Sequence, residues 1–147
     1  LKSNIFAGES VVGVKSSGEY LGEKKVRLTH LESGAQVITV APKDNNGDGS
    51  LFSPTDLVAS ALGSCMMTVM AIAAERKGIS LTTGRFLVEK TMQTSPRRIK
   101  RLDLRFELPS SLSSDDRMFL EAAANSCPVH HSLHSDIECV ILFSYTL

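Results

Sequence analysis

Tryptophan is absent from the 147 residues, and the other rings are few: six Phe and two Tyr. A chain so poor in aromatics offers no platform for stacking nucleobases. Neither sign of charge dominates, since sixteen Lys and Arg balance sixteen Asp and Glu. That balance removes the electrostatic case for nucleic acid or an anionic membrane as partner. It also leaves little repulsion between copies, which suits a protein that associates with itself. Cysteines number three, an odd count at wide spacing. The opening LKSNIFAGES lacks the apolar core of a signal peptide. Free thiols in a reducing, cytoplasmic setting are therefore expected rather than a disulfide framework. No repeat, low-complexity tract or linker divides the sequence, so one domain is expected over residues 1–147.

What the chain does have is one long apolar stretch, SPTDLVASALGSCMMTVMAIAAERKG, from Ser53 to Gly78. Both ends carry helix signals. Ser53 is a candidate N-cap, Pro54 occupies the first helical position, and Asp56 can complete a capping box. Gly78 can take the left-handed conformation that closes a helix. Leu57 to Ala74 approaches the length of a membrane span. Its interruption by Ser60, Gly63, Ser64 and Thr68, between charged ends, favours a core helix instead. Apolar on all faces, such a helix is buried on all faces, and Cys65 then lies inside the protein or at a subunit interface.

Upstream, the period is two. ESVVGVK (Glu9–Lys15), KKVRLTH (Lys24–His30) and QVITVA (Gln36–Ala41) read as strands, with a looser turn over Ser16–Gly22 and a tight one at Glu32–Gly34. PKDNNGDGSL is a polar loop. Its DNNGDG has the look of a calcium loop, but the closing Glu is missing, since that slot falls at Thr55. Downstream, Leu81–Thr91 and Arg98–Leu108 read as strands. The second alternates Leu102, Leu104, Phe106 and Leu108 with charged residues. Ser113 opens a second helix through a capping box to Asp116, with Met118, Phe119, Ala122 and Ala123 as its apolar face. Pro128 makes Cys127 the candidate N-cap of a short helix, and Ile137–Leu147 is a last strand. The order predicts an α+β fold with mainly antiparallel sheet. The apolar helix needs more cover than one small sheet offers, and a dimer would supply it.

Three groups could carry chemistry. Cys65, mid-helix, gets no help from its own helix's positive end, so a lowered pKa would need a nearby cation. Cys127 would meet unpaired N–H groups at a helix start. Cys139 lies in an apolar strand and reads as core. His130, His131 and His134 follow Cys127. His130 and His134 share a helix face with it, which leaves open a zinc site, a pKa-tuning contact, or plain surface histidines.

SPTDLVASALGSC (Ser53 to Cys65) together with NSCPVHHSL (Asn125 to Leu133) resembles the OsmC/Ohr family, the osmotically inducible and organic hydroperoxide resistance proteins. The first segment resembles the family's central helix with its cysteine, and the second its Cys-Pro-Val-His motif. The likeness is nearest to the general OsmC-like branch. It implies an α+β fold and an intertwined homodimer with active sites at the interface. It also implies a thiol-dependent peroxidase acting on organic hydroperoxides, with Cys65 as peroxidatic and Cys127 as resolving cysteine. An external dithiol would serve as reductant, and no metal or organic cofactor is required. The family's active site adds an arginine and a glutamate. The glutamate position is Thr55 here, with Asp56 the next acid. Arg27, the only arginine upstream of Cys65, is the candidate for the other role.

Overall fold

The computed structural model describes residues 13–147. The chain forms two compact units, divided between Ser53 and Pro54.

The first unit is an antiparallel meander, β1 (Ser16–Gly22), β2 (Lys25–His30) and β3 (Gln36–Val40), in that order. Here the sequence expectation needs correction. The strand sits at Ser16–Gly22, where a looser turn is expected, and residues 13–15 are irregular. The rest of Glu9–Lys15 falls outside the described residues. The reversal is made by Glu23 and Lys24, at φ +49° and +60°. Two consecutive left-handed residues match the twist of the flanking strands, as tight hairpins require. β1 is solvent-exposed along nearly its whole length. It is held by backbone pairing rather than by a buried face, so it leaves no apolar alternation to read. Gly34, at φ +72°, closes the β2–β3 turn, its N–H donating to the His30 carbonyl at 2.8 Å.

The second unit holds α1 (Pro54–Lys77), β4 (Arg85–Thr94), β5 (Arg97–Leu108), α2 (Ser114–Ala124), α3 (Pro128–Ser132) and β6 (Glu138–Tyr145). β4 and β5 form an antiparallel hairpin through a cis Ser95–Pro96 bond. β6 pairs with β5 in parallel, the one parallel pairing among the described residues of a mainly antiparallel arrangement. Parallel neighbours need a crossover, and α2 and α3 provide it. On β5, Leu102, Leu104, Phe106 and Leu108 have no exposed surface. Burying each is worth about 1.5–3 kcal/mol. The opposite face stays wet, with Arg101 bridging Asp103 and Glu138 at 2.6 and 2.7 Å and Arg85 meeting Glu107 at 2.6 Å.

α1 begins and ends where its sequence signals place it. At its C-terminus the Ile79 N–H reaches the Ala74 carbonyl at 2.9 Å and the Gly78 N–H the Glu75 carbonyl at 3.2 Å, with Gly78 at φ +71°. These two bonds are the Schellman arrangement. Ala59, Leu62, Gly63, Met66, Met70 and Ala74 are buried, a stripe at helical spacing. Gly63 matters sterically, because a Cβ there would lie 2.3 Å from Phe86 Cε2. Phe86 is itself backed by Phe106 at 5.8 Å between ring centroids, and Phe106 by Phe143 at 5.3 Å. The burial of α1 is one-sided. Val58, Ala61, Ser64, Thr68 and Ile72 are exposed, so a single chain does not cover this helix on all faces as its composition leads one to expect. Its length and mean hydropathy of 1.9 would also suffice to cross a bilayer. Its packed face against β4, β5, α2 and α3 identifies it as the core helix of this unit.

α2 starts at the expected cap, with the Asp116 N–H donating to Ser113 Oγ at 3.2 Å and Ser113 Oγ donating to Asp116 Oδ2 at 2.7 Å. Its buried residues are Leu120 and Ala124, whereas Met118, expected on the apolar face, is 63% exposed.

Candidate functional site

Cys65 lies near the middle of α1, half-buried and one residue before the fully buried Met66. Cys127 is delivered from the other direction. α2 unwinds after Ala124, the Cys127 N–H closes the turn onto the Ala124 carbonyl at 3.2 Å, and Pro128 starts α3. Proline fits that first position because its missing N–H would be unpaired anyway. Cys127 is thus the N-cap of α3 and has no exposed surface.

The structure brings these two distant cysteines together. α1 packs against α3, and the Cys65 and Cys127 side chains come close enough for each thiol to feel the other. Burial pushes the Cys127 thiol up, and the contact with Cys65 pushes the same way. The His130 and Val129 N–H groups, which face the sulfur, pull it down. These two N–H groups act on the sulfur without closing a capping hydrogen bond. They are what the start of a helix offers an anion. Both thiols are free. Two sulfurs so placed can carry a two-electron cycle between dithiol and disulfide.

Asp56 is placed elsewhere. Its Oδ1 accepts from Lys90 Nζ on β4 at 2.6 Å, and the same ammonium donates to Thr55 Oγ1 at 2.7 Å. The Lys90 side chain is 13% exposed and that of Asp56 40%. Asp56 lies nine positions before Cys65 on the helix. At about 1.5 Å per residue, that is some 13 Å along the axis. Arg27 belongs to the first unit, on β2, where its Nη1 donates to Glu19 Oε2 at 2.7 Å.

Lys90 is the residue the sequence reading missed, though a signal was there. It occupies an inward position in the alternation of Phe86, Val88, Lys90 and Met92, and a charge on the core side of a strand calls for a partner. Cys139 packs at the edge of the core, where burial raises its thiol pKa. Among the described residues, no three His, Cys, Asp or Glu side chains gather in a metal-binding arrangement. His134 Nδ1 instead accepts the Asp136 N–H at 3.1 Å.

The profile of the family described as OsmC-like protein matches residues 47–141, which include both cysteines. Among solved structures, a Psychrobacter arcticus protein described as an osmotic stress induced and detoxification response protein shares 33% sequence identity. The match covers 95% of this chain and 99% of that one, with a TM-score of 0.85. The OsmC organic hydroperoxide resistance protein of Legionella pneumophila has the same fold at 16% identity, with a TM-score of 0.74 over 92% and 99% of the two chains. An organic hydroperoxide resistance protein of Elizabethkingia anophelis follows at 13% identity and a TM-score of 0.72, over 95% and 100%. No curated protein is significantly similar to the chain. A family profile matched over most of the sequence, and a relative at one-third identity aligned over nearly all of it, lead to one conclusion: the chain belongs to the OsmC-like family.

Proposed function

We propose that this protein is a thiol-dependent peroxidase that reduces organic hydroperoxides to alcohols. The observation that carries the reading is the packing of α1 on α3, which brings Cys65 to the cluster that holds Cys127. Cys65, as thiolate, attacks the outer oxygen of the hydroperoxide. The O–O bond breaks, the alcohol leaves, and Cys65 becomes a sulfenic acid. The Cys127 sulfur then attacks the Cys65 sulfur, water departs and a disulfide forms. An external dithiol restores both thiols. Val69, half-buried and one helical turn from Cys65, adds apolar surface that favours an organic peroxide over hydrogen peroxide.

The working unit is a homodimer in a reducing, cytoplasmic compartment. The exposed stripe of Val58, Ala61, Ser64, Thr68 and Ile72 supports the dimer, because a second copy would cover it. Arg27 and Asp56 remain the residues proposed for the family's arginine and acid roles. One observation favours an alternative, a non-enzymatic stress or small-ligand-binding protein of the same fold with a degraded peroxidase site. Arg27 already pairs with Glu19, and Asp56 with Lys90.

The test is peroxide consumption with a dithiol, comparing cumene hydroperoxide with hydrogen peroxide, alongside intact mass without reductant. Cys65→Ser is expected to abolish turnover. Cys127→Ser is expected to stop disulfide formation and leave Cys65 as a sulfenic acid or over-oxidised. Turnover that survives Cys65→Ser would sink the mechanism, and absent turnover with two persistently free thiols would select the alternative.

A further inference from the structure

Cys65 and Cys127 are not equivalent to a molecule arriving from solvent, and the difference fixes the direction of the reductive half of the cycle. Cys127 has no exposed surface and belongs to the buried cluster with Leu120, Ala124 and Met66. Cys65 is only half-buried, on the rim of that cluster. Thiol–disulfide exchange proceeds by attack of a thiolate on one chosen sulfur, and access decides which.

Resting on the two-cysteine reading above, we propose that the external dithiol attacks the Cys65 sulfur of the Cys65–Cys127 disulfide and expels Cys127 as the leaving thiolate. The first thiolate of the reductant forms a bond to Cys65 Sγ. The Cys65–Cys127 bond breaks, and its electron pair goes to Cys127 Sγ, which takes the proton given up by the incoming thiol. The second thiol of the reductant loses its proton and attacks its own sulfur in the mixed disulfide. Cys65 is released as thiolate and the reductant leaves as a cyclic disulfide. Two electrons have passed from reductant to protein.

Two physical effects compete here. Burial makes Cys127 a poorer leaving group than an ordinary thiol, which argues for attack at the other sulfur. The Val129 and His130 N–H groups offset part of that penalty, because they face the charge as it develops. Access outweighs the remainder, since an enclosed sulfur cannot be approached from behind without local unfolding. The same enclosure has a second effect. Once protonated, Cys127 is slow to attack the mixed disulfide in return, so the reductant's second thiol completes the exchange. The peroxide must reach Cys65 for the cycle to start at all, so one mouth serves both substrates in turn.

The test uses the full wild-type chain. It is oxidised in one arm by an equivalent of cumene hydroperoxide and in a second by diamide, a general thiol oxidant. Each disulfide product receives a sub-stoichiometric monothiol, glutathione. Samples are quenched in acid over time, alkylated, digested and mapped by mass. The expected product carries glutathione on the Cys65 peptide and the alkyl group on Cys127. Glutathione on Cys127, an even mixture, or reduction that proceeds with no Cys65 adduct at any time would overturn the proposal. The two arms separate the claims. A disulfide formed by diamide but not by peroxide removes the peroxidase reading and still decides which sulfur is attacked. If diamide forms none, the pair does not bridge and both readings fall. As a second measurement, Cys127→Ser and Cys65→Ser, each combined with Cys139→Ser so that a single thiol remains, are titrated with a chromogenic disulfide. The thiol left in Cys127→Ser should react fast, and the one left in Cys65→Ser only at the rate of unfolding. Equal rates would contradict the enclosure of Cys127 on which the proposal rests.

Discussion

Replacing Gly63 by alanine should destabilise the protein, although alanine is the better helix former. In a helix interior that exchange is worth about 1 kcal/mol in alanine's favour. Here the new methyl would lie 2.3, 2.5 and 2.9 Å from three atoms of the Phe86 ring. Real side chains do not approach so closely, so ring or helix must move. The ring has little freedom, because it abuts Phe106, which stacks on Phe143 at an interplanar angle of 18°. Overpacking of a filled core costs about 1–3 kcal/mol, and with backbone of α1 on one side the upper half of that range applies. The net effect is a loss of about 1–2 kcal/mol after the propensity gain. Denaturant unfolding should show a lowered midpoint at unchanged slope. Adding Phe86→Leu should recover part of the loss, a favourable coupling in the double-mutant cycle. Ser64→Ala, one residue along and exposed, controls for propensity and should be neutral or mildly stabilising. A Gly63→Ala protein as stable as wild type would refute the packing argument. Because Cys65 follows two residues later, the same variant should also form the Cys65–Cys127 disulfide more slowly.

Other outcomes follow from the same geometry. The Cys127 thiol is raised by burial and by Cys65, so its thiolate is scarce near neutrality and increases with pH. Disulfide formation after a peroxide pulse should therefore accelerate through and beyond the ordinary thiol range near pH 8.5. Dimedone should capture more Cys65 sulfenic acid at about pH 6 than at about pH 9, and equal capture at both would contradict the assignment. Lys90→Met leaves Asp56 without its 2.6 Å partner. Because Asp56 stays 40% exposed to water, the cost should be about 1–2 kcal/mol by thermal unfolding rather than the larger penalty of a fully buried charge. Tyr145 Oη donates to Glu121 Oε1 at 2.6 Å, and burial with that carboxylate raises the phenol above its usual pKa. The unfolded phenol then ionises first, so this contribution is complete below about pH 10 and is lost as pH climbs toward the folded value. Tyr145→Phe should remove that alkaline loss of stability while costing about 1 kcal/mol at neutral pH. An unchanged alkaline limb would rule out Tyr145 as its source.

Much of this architecture is legible in the sequence where local chemistry speaks for itself. Pro54 and Gly78 bracket α1, Ser113 and Asp116 start α2, and Cys127-Pro128 starts α3, because caps are decided by residues a few positions apart. β1 is not legible, since Ser16–Gly22 has turn-like composition and owes its conformation to pairing with β2. The parallel join of β6 to β5 is equally silent, because either direction would bury Ile141 and Phe143. In the site, the two cysteines were found from their motifs, but their proximity belongs to the tertiary fold. Lys90 was overlooked because a single lysine among alternating residues reads as a solvated one until its side of the sheet is known. One apolar face of α1 and one unburied were both hidden in a composition that is apolar all round, since exposure depends on what else packs there.

The parallel pairing of β5 with β6 has a consequence for how the protein comes into being. Cys127 rides on the excursion between two strands that must zip side by side, and that excursion is pinned at its far end only once Glu138–Tyr145 has joined the sheet. The near end of that excursion is held by the packing of α2 on α1, and the far end by the last strand. A chain that lacks Glu138–Tyr145 would therefore leave the segment carrying Cys127 tethered at one end only.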